Sequence, residues 1–229
     1  MPDWEHPDTV AFFRARDPDV GVMRFIDSGG LRPGAHVLDL GCAAGRNAVF
    51  LAERGFPGVA VDASAAMVAT TRERLAPFAA TAPWRVLQRP MSELDDLEAG
   101  SFALLLALGV LQNAPNEAMF TRTLAHLARL ATDDAHLFVQ NFGPDSRPHG
   151  EPLRRVDGTR HVWTGFSADD PDLRYTLPDP AALDGLVAHH GFLSATPTRV
   201  VRKSVKGGER STIIADYRRP KPRRASLRP

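Results

Sequence analysis

The nineteen-residue stretch from Val37 to Gly55, VLDLGCAAGRNAVFLAERG, narrows the possible folds more than any other part of the chain. Val37, Leu38 and Leu40 form an apolar run with Asp39 inside it, the pattern of a buried parallel strand ending in a functional group. Gly41 and Gly45 allow backbone geometry that a side chain would obstruct. From Ala44 onward, Ala48, Phe50, Leu51 and Ala52 follow a helical period, and Gly55 stands where a helix-ending glycine belongs. Strand, glycine turn and helix N-terminus together make a ligand cradle of the doubly wound α/β type.

Residue types in the turn distinguish two kinds of ligand. A dinucleotide site needs glycines in a G-x-G-x-x-G pattern. Counted from Gly41, positions 43 and 46 should then be glycine, and they are Ala43 and Arg46. Asp39 also opposes a pyrophosphate, since like charges repel by about 4 kcal/mol per pair at about 4 Å and an effective dielectric near 20. An acid at this place suits a cationic ligand.

The segment DLGCAAG, Asp39 to Gly45, resembles the first motif of the class I S-adenosylmethionine-dependent methyltransferases, an acid followed by G-x-G-x-G. Their cofactor carries an α-ammonium and a sulfonium. Ala43 departs from the usual middle glycine. The continuation GRNAVFLAERG is similar to the small-molecule branch of the family, and the resemblance extends from Val37 to Phe142. It implies a doubly wound, seven-stranded, mostly parallel Rossmann-like sheet finished by a C-terminal antiparallel hairpin. It implies S-adenosylmethionine held by Asp39, Gly41, Ala43, Gly45, Arg46, Asn47, Asp62, Ala63, Met67, Met91, Ser92, Ala107 and Leu108.

Composition allows such a reading. The 229 residues suffice for one large α/β domain, and 43% hydrophobic with 24% charged residues is ordinary for a globular protein. A net charge of +1 creates no global field toward nucleic acid or membrane. No apolar run approaches the roughly 20 residues of a membrane span. The polar start MPDWEHPDTV does not read as a signal peptide. Cys42 is the one cysteine, so no intrachain disulfide can form, and a cytoplasmic location is expected. The richness in Ala, Arg and Pro suggests a bacterial source.

Along the chain, residues 1–34 read as a helical cap. A helix over Asp8–Arg16 is expected to bury Val10, Phe12 and Phe13, and Asp19 to cap a second helix through Ile26. At least one of Trp4, Phe12 and Phe13 is expected to touch ligand. Gly58–Asp62 is a strand ending in an acid 21 positions after Gly41, near the ~20 at which a carboxylate binds a ribose diol. Ser64 is the better helix cap and leaves Asp62 free. Met67, early in the next helix, is either core or adenine-facing. WRVLQ and FALLLAL are the third and fourth strands. Pro90 stands where the family usually has an adenine-reading acid, which leaves Met91 and Ser92. The carbonyl of Ala107 or Leu108 suits an α-ammonium.

Gln112 and Asn113 are substrate candidates, Asn113 also a helix cap. His126 is expected to face solvent. AHLFVQNF, Ala135–Phe142, is the fifth strand, with Asn141 at its ligand-binding end. The irregular segment 143–180, with His149, Trp163, Phe166 and Tyr175, reads as an insertion over the acceptor site. His189 and His190 mark a helix end. Thr198–Val205 and Ser211–Arg218 form the terminal hairpin, and 219–229 a disordered basic tail, with the methyltransferase domain over 35–218.

The function implied is methyl transfer to a small-molecule acceptor by direct displacement, with Phe13, Gln112, Asn113, Asn141 and Trp163 at the acceptor. His149 is the candidate general base for an acceptor that needs one. The rivals are an RNA or protein methyltransferase, a non-catalytic cofactor-binding module and a nicotinamide dehydrogenase. Near-neutral charge counts against RNA; Asp39, Ala43 and Arg46 count against the dehydrogenase.

Overall fold

The computed structural model describes residues 3–166, 175–176, 179–205 and 207–221. Its centre is a parallel sheet of β1 (Val37–Leu40), β2 (Gly58–Asp62), β3 (Trp84–Gln88), β4 (Phe102–Leu108) and β5 (Ala131–Phe142). The hairpin β10 (Arg199–Val205) and β11 (Gly208–Arg218) extends it, giving the order β10-β11-β5-β4-β1-β2-β3. β11 runs antiparallel to both neighbours, and a short β9 (Leu193–Ser194) pairs with its end. The doubly wound, mostly parallel sheet with a terminal antiparallel hairpin is therefore present, with β9 as an unforeseen eighth strand.

Alternate residues of β4 explain the two layers. Leu104 and Leu106 face Val22, Phe50, Leu51 and Phe138 on one side. Leu105 and Ala107 face Phe120, Leu124, Leu127, Leu183 and Val187 on the other. A strand buried on both faces reads as an unbroken apolar run because every residue has an apolar neighbour layer. The first layer is α2 (Val20–Asp27), α3 (Arg46–Ala52) and α4 (Ala65–Leu75); the second is α5 (Glu117–Leu130) and α6 (Pro180–His189).

Several expectations need correcting. The first helix, α1 (Pro7–Arg14), starts on a His6 cap and buries none of its residues, and Phe12 is 56% exposed. Its aromatics pack on one another, with Trp4 and Phe12 each about 5 Å from the Phe13 ring. His126 is 7% exposed, because its Nε2 lies 3.1 Å from the Ser92 carbonyl and α5 packs there against the loop after β3. Asn116, not Asn113, caps α5, its Oδ1 accepting from Met119 N at 2.9 Å.

Within segment 143–180, residues 167–174 and 177–178 lie outside the described residues, and the short strand expected at Trp163–Phe166 falls at 162–164. β6 (Arg154–Arg155), β7 (Val162–Thr164) and β8 (Tyr175–Thr176) form a small antiparallel sheet whose last strand lies beside the turn Leu111–Asn113. Glu117 at the start of α5 anchors it by accepting from Arg160 N and His161 N, and Phe166 stacks on Phe142 at 4.8 Å. At the tail, Arg219 donates to the Ala131 carbonyl and Lys221 pairs with Asp134. The hairpin position Lys206, the Tyr175 side chain and the tail from 222 on lie outside the described residues.

Candidate functional site

The carboxyl ends of β1, β2 and β4 surround a cavity of about 290 Å³, at the low end of the roughly 300–1,000 Å³ typical of ligand pockets. The turn after β1 forms one wall. Gly41 has φ of 72°, and a Cβ there would come within 2.5 Å of Val110 Cβ, so glycine is required on two counts. Ala43 also takes a left-handed φ, 47°. Asp62 Oδ2 holds its N–H at 2.8 Å and Thr71 Oγ1 donates to its carbonyl at 2.7 Å. These two bonds over-determine a conformation costing an L-residue roughly 1–2 kcal/mol. Gly45, with φ of 78°, is where α3 crosses Thr71, whose side chain a Cβ would meet at 3.0 Å; it serves helix packing and does not line the cavity.

The two acids behave differently. Asp62 lines the cavity and receives one hydrogen bond on each oxygen, from Ala43 N and from Ser64 N at 3.0 Å. It is therefore not free, but each carboxylate oxygen keeps acceptor capacity. Burial raises its pKa, and the N–H donors from Ser64 and Ala43 oppose this. Ser64 caps α4 through Met67 N, as expected. Asp39 lies behind the wall, 2% exposed, and its Oδ2 is buried with no hydrogen-bond partner. Burial pushes its pKa up to about 7, against the attraction of Arg46. A carboxylate this dry and half-satisfied is a ready partner for an arriving cation.

Of the remaining expected cofactor residues, Arg46, Asn47, Ala63, Met91 and Leu108 line the cavity. Met67, Ser92 and Ala107 do not. Met67 and Ala107 are fully buried core, and the Ser92 carbonyl is engaged by His126. Of the expected acceptor residues, Phe13 and Asn113 line it. Gln112 is buried and donates to the Gly109 carbonyl at 2.6 Å, bracing the turn from behind. Asn141 points with Val139 into the layer opposite to α2 and is fully buried. Trp163 packs in the insertion with Leu153, Phe142 and Phe166. His149 is exposed, with Nε2 3.2 Å from the Phe166 carbonyl, out of the hydrogen-bond reach of the cavity that a general base needs.

Gly109 and Val110, in the segment after β4 that the family resemblance sets under the methionyl part, line the cavity, and so do Arg89 and Met119, which no local motif announced. Sequence reasoning underweighted Trp4. That residue lines the cavity because its carbonyl accepts from Ser64 Oγ and the adjacent Glu5 carboxylate accepts from Ala65 N and Ala66 N. An acid at a helix N-terminus is a readable pairing, but its partner is sixty residues away. A second latch joins α2 to the site: Asp19 N donates to Asn47 Oδ1, Asp19 Oδ1 caps α2, and Gln140 Nε2 donates to Asp19 Oδ2.

Residues 37–134 match the sequence profile of a family described as a methyltransferase domain. The ubiquinone biosynthesis O-methyltransferase of Hahella chejuensis is 31% identical over 120 residues, 52% of this chain and 48% of that protein. The chain thus aligns with about half the length of this curated relative. A structure of an S-adenosylmethionine-dependent methyltransferase from Methanosarcina mazei superposes with a TM-score of 0.66 over 90% of this chain and all of that one, at 16% identity. The 1,6-didemethyltoxoflavin-N1-methyltransferase of Burkholderia thailandensis, solved with 1,6-didemethyltoxoflavin and S-adenosylhomocysteine, superposes at 0.62 over 88% of this chain and 78% of that one, at 20% identity. At such identities the superpositions speak for the fold, and the profile match speaks for the domain. The profile match is to a methyltransferase domain and spans less than half of the chain, while the superpositions share its fold.

Proposed function

We propose that this protein binds S-adenosylmethionine in the cavity beside Gly41 and Ala43 and transfers its methyl group to a small-molecule acceptor. The observation that carries the reading is the buried, unpartnered Oδ2 of Asp39 behind a glycine cradle, with Asp62 on the same cavity. Asp62 accepts from the ribose hydroxyls with its unused lone pairs. Asp39 neutralises the α-ammonium, directly or through a water. Met91 and Pro90 flank the adenine, and Trp4 and Phe13 exclude water from the methionyl end. Bound there, the cofactor supplies an electrophilic methyl on a sulfonium that departs as a thioether. The protein's work is then alignment, which contributes up to about 7–11 kcal/mol in ideal intramolecular models.

Among the described residues, no histidine lines this cavity or the adjoining groove. That favours an acceptor atom already anionic or easily deprotonated, such as a thiol, carboxylate or acidic phenol, over an aliphatic alcohol. The small-molecule reading gains support from the toxoflavin-precursor and ubiquinone-pathway relatives. Calorimetric titration with S-adenosylmethionine tests the cofactor, and an acceptor screen read by mass for one added CH2 unit tests the chemistry. Absence of cofactor binding sinks the proposal; binding without product from any acceptor leaves a binding module.

A further inference from the structure

A second, larger groove of about 1030 Å³ adjoins the cofactor cavity, and Arg46 and Leu108 line both. Its floor is one face of the sheet edge, where alternate residues of β10, β11 and β5 point the same way: Val201 and Lys203, Arg210 and Thr212, Phe138 and Gln140. The roof is α2 and the end of α1. Arg16, Arg24, Arg46, Arg199, Lys203 and Arg210 line it, against the carboxylates of Asp17, Asp19 and Asp216. Two of those three acids are engaged. Asp19 caps α2 and accepts from Gln140, and Asp216 lies 3.4 Å from His136.

Lys203 and Arg210 face each other directly across the β10–β11 pair. Like charges at directly opposed positions destabilise a sheet, so the fold gains nothing from this pair. Arg210 is half-buried, its guanidinium carbon 5.0 Å from the Phe142 ring centre, and its Nε is buried with no hydrogen-bond partner. Burial and the nearby Arg16 both push its pKa down. The adjacent Arg202 shows the contrast: outside the groove, it pairs with Asp145 and Glu209. Among the described residues no carboxylate pairs with Arg210, Lys203 or Arg16.

We propose that this groove holds an anionic group of the acceptor, a carboxylate or a phosphate ester, between Arg210, Lys203 and Arg16. The acceptor is then a small organic anion whose methylated atom lies toward Leu108 and Arg46, where the groove meets the cofactor cavity. A guanidinium fork with a free Nε–H matches a carboxylate or phosphate in two bonds, and an anion also relieves the Lys203–Arg210 repulsion. The inference rests on the methyltransferase reading for the identity of its ligand, and on the groove alone for its charge.

The test uses the full chain saturated with S-adenosylhomocysteine, titrated calorimetrically with benzoate, phenyl phosphate and the neutral benzamide. Benzoate and phenyl phosphate are expected to bind at least tenfold more tightly than benzamide. Arg210→Gln should lower the affinity for both anions at least tenfold, and Arg210→Lys by less, because charge remains while the fork is lost. Affinity for S-adenosylhomocysteine should stay within twofold in both variants, which also shows them folded. Equal binding of benzamide and benzoate, or anion affinity that survives Arg210→Gln, overturns the proposal. A short RNA that binds more tightly than phenyl phosphate and is weakened by Arg210→Gln overturns it too, in favour of a nucleic-acid partner. Failure of wild-type protein to bind S-adenosylhomocysteine counts against the methyltransferase reading alone; the anion titration without it then judges the groove by the same criteria.

Discussion

Burial removes water from Asp39, and the Arg46 charge opposes the resulting pKa shift more than the Ala48 backbone N–H does. The Asp39 pKa is pushed up to about 7 from 3.8, so ionisation is penalised in the folded protein. The sign follows: a group whose folded pKa is raised above its unfolded value takes stability away as pH rises through the interval, here from about 4 to 7. In cofactor-free protein, Asp39→Asn is expected to raise the melting temperature at pH 8 and to flatten its fall between pH 4 and 7, as scanning calorimetry would show. The same change should weaken S-adenosylmethionine. Wild-type affinity should drop about fivefold between pH 7 and pH 6 as Asp39 protonates, and the variant should lack that slope. Ala43 stores strain of a different kind, in its backbone. Ala43→Gly is expected to raise the melting temperature by an amount worth up to about 1 kcal/mol, the left-handed cost less the extra chain entropy of glycine. Cofactor affinity should hold or improve. Both residues were legible in the DLGCAAG motif, since motif identity depends on neighbours in sequence. That Asp39 sits behind the wall with one oxygen orphaned was not, because it depends on what packs over the strand.

Elements were read well where their period was strong and poorly at their edges. β1, β2, β3 and β4 occupy the expected segments, each announced by an apolar run. The start of α5 was harder: Asn113, Pro115 and Asn116 all offer helix-start chemistry within four residues. The structure gives the cap to Asn116 and puts Asn113 on the cavity. Asn116→Ala should cost about 1 kcal/mol of stability in urea unfolding with kcat/KM unaffected per folded molecule, whereas Asn113→Ala should spare stability and lower kcat/KM. The reverse pattern would restore Asn113 as the cap. α1 misled because Val10, Phe12 and Phe13 look like a core stripe. With the sheet face already covered by α2 and α3, its aromatics pack on each other, and Trp4 and Phe13 turn to the cavity.

At the scale of the whole molecule, the terminal hairpin does two jobs. One face of β11 seals the core: Ile213, Ala215 and Tyr217 are buried against α6, and Tyr217 Oη donates to Asp184 Oδ1 at 2.7 Å. Burial and that carboxylate push the Tyr217 pKa upward. Tyr217→Phe removes this charge-assisted bond and should destabilise by about 1.5–3 kcal/mol. Hydrogen exchange should quicken in β10 and β11 before β1 and β4, which lie at the sheet centre. The opposite face of β11 floors the larger groove, so core and groove share one strand with period two. The chain's own order of residues determined the strand–turn–helix cradle, the layer alternation and the two acids, because strand period, helix period and glycine turns act over a few neighbours. Only the tertiary structure decided which side chains reach the cavity and the groove beside it. It turned Asn141, Gln112 and His149 away from the cavity, brought Trp4 and Val110 to it and set Arg210 on the groove, because facing depends on what each strand and loop packs against, and those partners are distant in sequence.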